Sequence, residues 1–344
     1  MNKPVGVIGA GSFGTAISNL LAINTDVLLF TRRKEVMESI NERQEHLGIK
    51  LSPRIRATDS IQAVAEQCDV IFPVVPSESF RKTIISIAPF LKPYHIVIHG
   101  TKGFDVPNVS MEDIAKTKIS RSDVRTMSEI ILEETVVKRV GCLSGPNLAK
   151  EIIAGQPTAG VIASKFDEVI KIGDKALDSN LFHVYGSHDL LGAELAGALK
   201  NIIAIGSGIL GGMGMGRNLQ AMLITRGLIE MVNFGKALGS ESRAFLGTAG
   251  IGDLIATATS TSSRNYTFGA RLAKGESMEQ IKASSQEVAE GVRTLQIARQ
   301  LAKNYKLHVP ITQMLYSIVF EKYDIPKALD YLITYPYDVD VDFM

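Results

Sequence analysis

A chain of 344 residues with 45% hydrophobic and 21% charged side chains has an ordinary globular composition, and its length suggests two domains. Lys and Arg (37) balance Asp and Glu (36), so the net charge of +1 offers no general attraction to nucleic acid or to an acidic membrane. Two cysteines and six histidines, none at metal-ligand spacing, predict no metal site and buried thiols in a reducing compartment.

The N-terminal MNKPVGVIGAG has neither the basic segment nor the long apolar core of a secretory signal, which predicts a cytoplasmic protein. VGVI (5–8) is apolar and β-branched, a Gly-rich turn follows, and TAISNLLAI (15–23) reads as a helix. DVLLF (26–30), DVIFPVV (69–75), HIVIH (95–99) and RVGCLSG (139–145) are further short apolar runs, separated by helical patterns such as SIQAVAEQ (60–67) and ESFRKTIISIAPFL (78–91). TAGVIAS (158–164) and FHVYG (182–186) close the series. Near-continuous apolar strands alternating with helices predict an α/β domain with a mostly parallel sheet covered on both faces. The polar stretch 105–128 reads as a local insertion or surface excursion.

Past residue 188 the strand signal stops. DLLGAELAGALKNIIAIGSGIL, LQAMLITRGLIEMVNFGKAL, VRTLQIARQLAKNY and TQMLYSIVFEKY all carry helical patterns, which predicts an all-α C-terminal domain over 189–344 after an α/β domain over 1–188. Residues 189–212 are long and apolar enough to suggest a membrane span, but Asp189, Glu194, Lys200 and Asn201 are costly at bilayer depth, so a buried core helix is expected. The acidic tail YDVDVDFM reads as solvated.

Several segments carry chemistry. Gly9, Gly11 and Gly14 form G-x-G-x-x-G between a strand and a helix, the arrangement in which a glycine turn brings a pyrophosphate to a helix N-terminus. This predicts a Rossmann-type dinucleotide domain. The second strand ends in Thr31, Arg32 and Arg33 with no acid until Glu35, which favours the 2′-phosphate of NADP(H), with NAD(H) possible; the alternative is a solvated basic turn. Lys102 and Gly145-Pro146 each follow a strand, where ligands of such sheets gather, although a surface lysine and an ordinary turn are equally open. Gly250, Gly252 and Asp253 read as a tight loop presenting a carboxylate. Ser262, Ser263, Arg264 and Asn265 precede a helix and suit either a phosphate pocket or a plain helix cap. Within AGALKNIIAIGSG (196–208), Lys200 stands beside Asn201 among aliphatic and small residues. Burial there disfavours the charged amine and suits a proton donor; a side chain snorkelling to solvent is the other reading.

In their order, GVIGAGSFGTAI, TRR, VVPS, TKG, LSGPNLAKEI, GALKNIIAIGSG, ITRGL, TAGIGDL, SRNYTFG and VAEGVRT, the segments resemble the bacterial-type NAD(P)-dependent glycerol-3-phosphate dehydrogenases from residue 5 to about 294. The resemblance implies an oxidoreductase interconverting dihydroxyacetone phosphate and sn-glycerol 3-phosphate for glycerophospholipid synthesis, a homodimer, and an active site between the domains. It implies Lys200 as catalytic lysine, with Asp253 and Lys102 beside it in the chemistry. Gly145, Asn201, Ser263, Arg264 and Asn265 fall on substrate positions together with those three. Ser12, Phe13, Arg32, Arg33, Lys102, Ala149, Arg264, Val288 and Glu290 fall on cofactor positions, with the three glycines of the loop. Asn147 stands where the family often has Thr or Ser, and the segment after Lys102 is longer than usual. Rival readings are a two-domain dehydrogenase acting on a β-hydroxyacid or 6-phosphogluconate, and an NADP(H)-binding sensor without turnover.

Overall fold

A computed structural model describes residues 3–107, 109–285, 289–336 and 340. It divides into two compact units, Met1–Asp105 with Thr126–Glu194, and Val106–Arg125 with Leu195–Met344.

The first unit is built on an eight-stranded sheet. In chain order the strands are β1 (Val5–Ile8), β2 (Val27–Phe30), β3 (Ile55–Thr58), β4 (Val70–Pro73), β5 (Ile96–His99), β6 (Arg139–Ser144), β7 (Thr158–Ser164) and β8 (Phe182–Ser187). Their spatial order is β8-β7-β6-β5-β4-β1-β2-β3, and every pair is parallel except β6 with β7. Side chains alternate across the sheet as the pleat requires: Val5, Val7, Leu29, Phe72 and Ile98 join one core cluster, and Ile8, Leu28, Ile71 and Val97 join the other. Both faces are thus buried, which is why the central strands are mostly apolar; buried His99, at the end of β5, is an exception.

One strand of the sheet, β3, is not among those the sequence predicts. β3 is an edge strand of four residues in which buried Ile55 and Ala57 alternate with Arg56 and Thr58, too short and too polar to stand out. A two-residue hairpin, Glu45–His46 against Ile49–Lys50, precedes it.

Beyond Ser187 the described residues are helices and turns, led by Leu190–Gly212, Arg217–Ala237, Arg264–Ala273, Glu290–Tyr305 and Pro310–Glu321. The helix Leu190–Gly212 passes a length-and-composition test for a membrane span, yet 89% of its most apolar window is buried within the protein. Glycines set how closely it packs. A Cβ on Gly208 would lie 2.0 Å from the carbonyl oxygen of Tyr266, and one on Gly269 would lie 2.0 Å from that of Ile205. Backbone therefore meets backbone between this helix and Arg264–Ala273.

The segment expected as a surface excursion is instead part of the helical unit. Ile114, Ile119 and Val124 are buried, Gln300 Nε2 donates to the Ala115 carbonyl at 3.0 Å, and the Tyr305 hydroxyl accepts from Arg121 N at 3.1 Å. Its apolar anchors lie five residues apart, which fits neither a helix nor a strand period and leaves a polar-looking sequence. The division therefore differs from a single cut at 188: residues 106–125 join the second unit, and the boundary falls after Glu194.

Candidate active site

In the first unit, the Gly9–Gly14 loop links β1 to the helix Ser12–Asn24. Gly9 has φ +120°, and a Cβ there would lie 2.8 Å from the carbonyl oxygen of Val74. A Cβ on Gly14 would lie 1.8 Å from the carbonyl oxygen of Gly9, so the helix closes on the loop only with glycine there. Gly11 is exposed and supplies no side chain to cap the helix start. Ser12 and half-buried Phe13 open the helix, and the Phe13 ring packs over Gly100, where a Cβ would lie 2.9 Å from it. Arg32 and Arg33 are exposed at the end of β2, and among the described residues neither has an ion-pair partner. Arg33 N donates to the Thr31 hydroxyl at 3.3 Å and begins the helix Lys34–Arg43. An uncapped helix start behind a loop whose Gly9 and Gly14 admit no Cβ, with these two guanidinium groups just past the neighbouring strand, fits a dinucleotide carrying an additional phosphate.

Two residues after β5 leads into Gly100, Lys102 Nζ donates to the Gly145 carbonyl at 2.9 Å. Gly145 has φ +109°, a turn that directs this carbonyl from the end of β6. Asn147 Nδ2 donates to the Ser144 carbonyl at 3.1 Å, while its buried Oδ1 has no hydrogen-bond partner among the described residues. Ala149 begins the short helix Ala149–Ile153 and packs against the core. The same unit holds a buried set that no local sequence pattern marks. His99 Nε2 lies 2.9 Å from Glu194 Oε1, which also accepts from Ser128 N at 2.8 Å, and the Ser128 hydroxyl donates to Glu194 Oε2. Burial opposes ionisation of Glu194, but the His99 ring and the two Ser128 donors outweigh it and hold the carboxyl below the usual range. Glu194 was visible as a costly acid in an apolar helix; nothing in sequence named its partners.

In the second unit, Lys200 is 5% exposed and its ammonium donates to Asp253 Oδ1 and, at 2.5 Å, to the Thr257 hydroxyl. Thr257 in turn donates to Asp253 at 3.3 Å. Asp253 and Thr257 are four apart on the helix Asp253–Thr259 and so share a face, the signal that would have exposed Thr257. The expected tight loop before Asp253 is a π-helical turn, Thr248–Gly252, that runs directly into this helix. A Cβ on Gly250 would lie 2.2 Å from the Phe245 carbonyl oxygen, which explains the glycine there.

Asn201, next to Lys200, accepts at Oδ1 from Asn265 Nδ2 at 2.9 Å, and Asn265 Oδ1 accepts from Gly291 N at 2.9 Å. Ser263 caps the helix Arg264–Ala273 by accepting from Tyr266 N at 3.3 Å. Arg264 is exposed at that helix start, and half-buried Glu290 opens the helix Glu290–Tyr305. Lys200 and Asp253 are thus in contact, and Asn201 and Asn265 are joined at the adjacent position. Val288 lies outside the described residues.

A sheet with a glycine loop built for a dinucleotide, followed by a helical unit that buries a lysine–aspartate pair, defines a two-unit nicotinamide-type dehydrogenase. Residues 4–170 match the profile of the NAD-dependent glycerol-3-phosphate dehydrogenase N-terminus, and residues 189–330 match that of its C-terminus. The glycerol-3-phosphate dehydrogenase (NAD(P)+) of Teredinibacter turnerae is 40% identical over 98% of this chain and 96% of its own length. That of Saccharophagus degradans is 39% identical over 98% of this chain and 92% of its own. A crystal structure of glycerol-3-phosphate dehydrogenase from Coxiella burnetii, 29% identical, aligns with a TM-score of 0.85 over 96% of this chain and 99% of that one. The chain belongs to the NAD-dependent glycerol-3-phosphate dehydrogenase family.

Proposed function

We propose that the protein interconverts dihydroxyacetone phosphate and sn-glycerol 3-phosphate, using NADP(H) in preference to NAD(H), and so supplies glycerophospholipid synthesis. The observation that carries this reading is the buried Lys200–Asp253–Thr257 group in a chain of this family. The nicotinamide coenzyme, when bound, supplies the hydride for ketone reduction. Lys200 delivers the proton to the carbonyl oxygen and takes it back in the reverse direction. Asp253 and Thr257 hold the amine in one orientation, and general acid catalysis requires such fixed placement. Lys102 supplies positive charge where the alkoxide develops. Ser263 and Arg264, at a helix start, bind the substrate phosphate, and Asn265 with Gly145 and Asn201 completes the substrate contacts. Gly9, Gly11, Ser12, Phe13 and Gly14 receive the pyrophosphate end, Arg32 and Arg33 the 2′-phosphate, and Ala149, Arg264 and Glu290 further parts of the coenzyme.

Burial pushes the Cys68 thiol up to about 12 and holds that of Cys142 well above its ordinary range, so both are inert and suit a reducing cytoplasm. The family likeness supports a homodimer, which light scattering of the purified chain measures. The activity is tested by following NADPH consumption with dihydroxyacetone phosphate, beside NADH and beside β-hydroxyacid and 6-phosphogluconate controls. Lys200→Ala is expected to lower turnover at least about a hundredfold with the fold retained. Near-normal turnover in that variant removes Lys200 from the mechanism.

A further inference from the structure

We propose that His46 is a positioning residue of the dinucleotide site, holding the Ala10 carbonyl so that the Gly11 N–H faces the pyrophosphate. The proposal rests on the reading of the Gly9–Gly14 loop given above.

His46 is buried, and its Nε2 lies 2.8 Å from the carbonyl oxygen of Ala10, between the first two glycines of the loop. A carbonyl only accepts, so Nε2 carries the proton. The Ala10 carbonyl and the Gly11 N–H belong to one planar trans peptide, in which they point in opposite directions. A donor holding the carbonyl on the buried side therefore turns the Gly11 N–H to the other side, where Gly11 is exposed. Glycine at 9 and 11 makes this peptide easy to rotate, so an outside restraint has something to fix.

The chain goes to some length to place that ring. Helix Lys34–Arg43, which follows Arg33 at its N-cap, ends with Gln44 in the left-handed region at φ +55°. The hairpin that follows turns through Leu47 (φ +53°) and Gly48 (φ +70°). Two positive φ values at the centre of a two-residue hairpin match the twist of its strands, but leucine rarely adopts one. Ser39 Oγ donates to the Glu45 carbonyl at 2.9 Å and Leu51 N to the Gln44 carbonyl at 2.7 Å, fixing the hairpin on both sides. One short segment thus carries the two guanidinium groups at its start and the loop's restraint at its end.

The test is equilibrium binding of NADPH and of NADH to the full chain carrying His46→Ala, His46→Gln or His46→Asn. Gln places an amide donor where Nε2 lies; the Asn amide stops short. The expected result is a loss of about tenfold in affinity for His46→Ala, in equal proportion for both coenzymes, with the loss falling on binding rather than on kcat at saturating coenzyme. His46→Gln restores affinity to within about threefold and His46→Asn does not. Unchanged affinity in His46→Ala, or equal behaviour of the Gln and Asn variants, overturns the proposal and leaves His46 as hairpin packing. If the parent chain binds neither coenzyme, the assignment of the loop falls, and the role of His46 with it.

Discussion

Glu230 gives the helical unit a stability that declines with rising pH. The residue lies on Arg217–Ala237, is 4% exposed, and accepts from Ile311 N at 2.6 Å, Thr312 N at 2.9 Å and the Thr312 hydroxyl at 2.7 Å, at the start of Pro310–Glu321. Those three donors and the helix terminus favour the anion. Burial without a cation disfavours it more strongly, and the carboxyl is pushed up to about 7. In the unfolded chain it titrates near 4.3. Between these values the unfolded state has released a proton that the folded state keeps, so stability is full below about pH 4 and is lost as pH rises through about 7. The difference, between two and three pK units, corresponds to about 3–4 kcal/mol in all. Other groups titrate across the same range, so the informative quantity is the difference between the parent and Glu230→Gln, measured by urea denaturation from pH 5 to pH 8. The parent should lose about 2–3 kcal/mol relative to the variant over that range. A difference that stays flat, or that moves in favour of the parent as pH rises, would show that the helix-terminal donors hold the carboxylate ionised, and the argument from burial would fail.

Replacing both Arg32 and Arg33 by Ala should weaken NADPH binding at least about tenfold and NADH binding by less than about threefold, read as separate Kd values; equal losses would mean that the pair contacts something common to both coenzymes. Gly269→Ala should destabilise the protein by more than about 2 kcal/mol, because its Cβ meets the Ile205 carbonyl oxygen at 2.0 Å and backbone must move. A thermal scan showing an unchanged midpoint would mean that the two helices separate at little cost.

Where burial leaves a mark on residue choice, the sequence was readable. The central strands are apolar on both faces, so their runs identified the sheet. The glycine loop was legible because three glycines fall at fixed spacing within a few residues of chain, and Gly9 and Gly14 each answer a steric demand. β3 escaped because an edge strand needs only Ile55 and Ala57 inside. The segment 106–125 escaped because Ile114, Ile119 and Val124 bury themselves without a repeating period. At the site, Lys200 stood out as a charge among aliphatic residues. Its partner Thr257 did not, since threonine carries no anomaly of its own. His99 and His46 are each defined by a contact to a residue distant in the chain, Glu194 and Ala10, and no local pattern encodes such a contact.

The Lys200–Asp253 pair raises the question of why a core should contain it. Both side chains are almost wholly buried, at 6% and 1% exposure. Withdrawing two charges from water costs about as much as their attraction returns, so such a pair adds little to stability over an apolar substitute. Breaking it is different: Lys200→Met alone takes the ammonium away from a buried carboxylate, at a cost of about 3–5 kcal/mol. Combining Lys200→Met with Asp253→Asn removes both charges and keeps a partner for the Thr257 hydroxyl. The double variant should therefore recover to within about 1–2 kcal/mol of the parent while remaining at least about a hundredfold less active. Urea denaturation and the NADPH assay, run on the same preparations, separate the two effects. If the double variant were as unstable as the single one, the pair would be a structural requirement of the helical unit, and its burial would no longer argue for catalysis. If it recovers its stability and not its turnover, the charges are retained for the proton they handle.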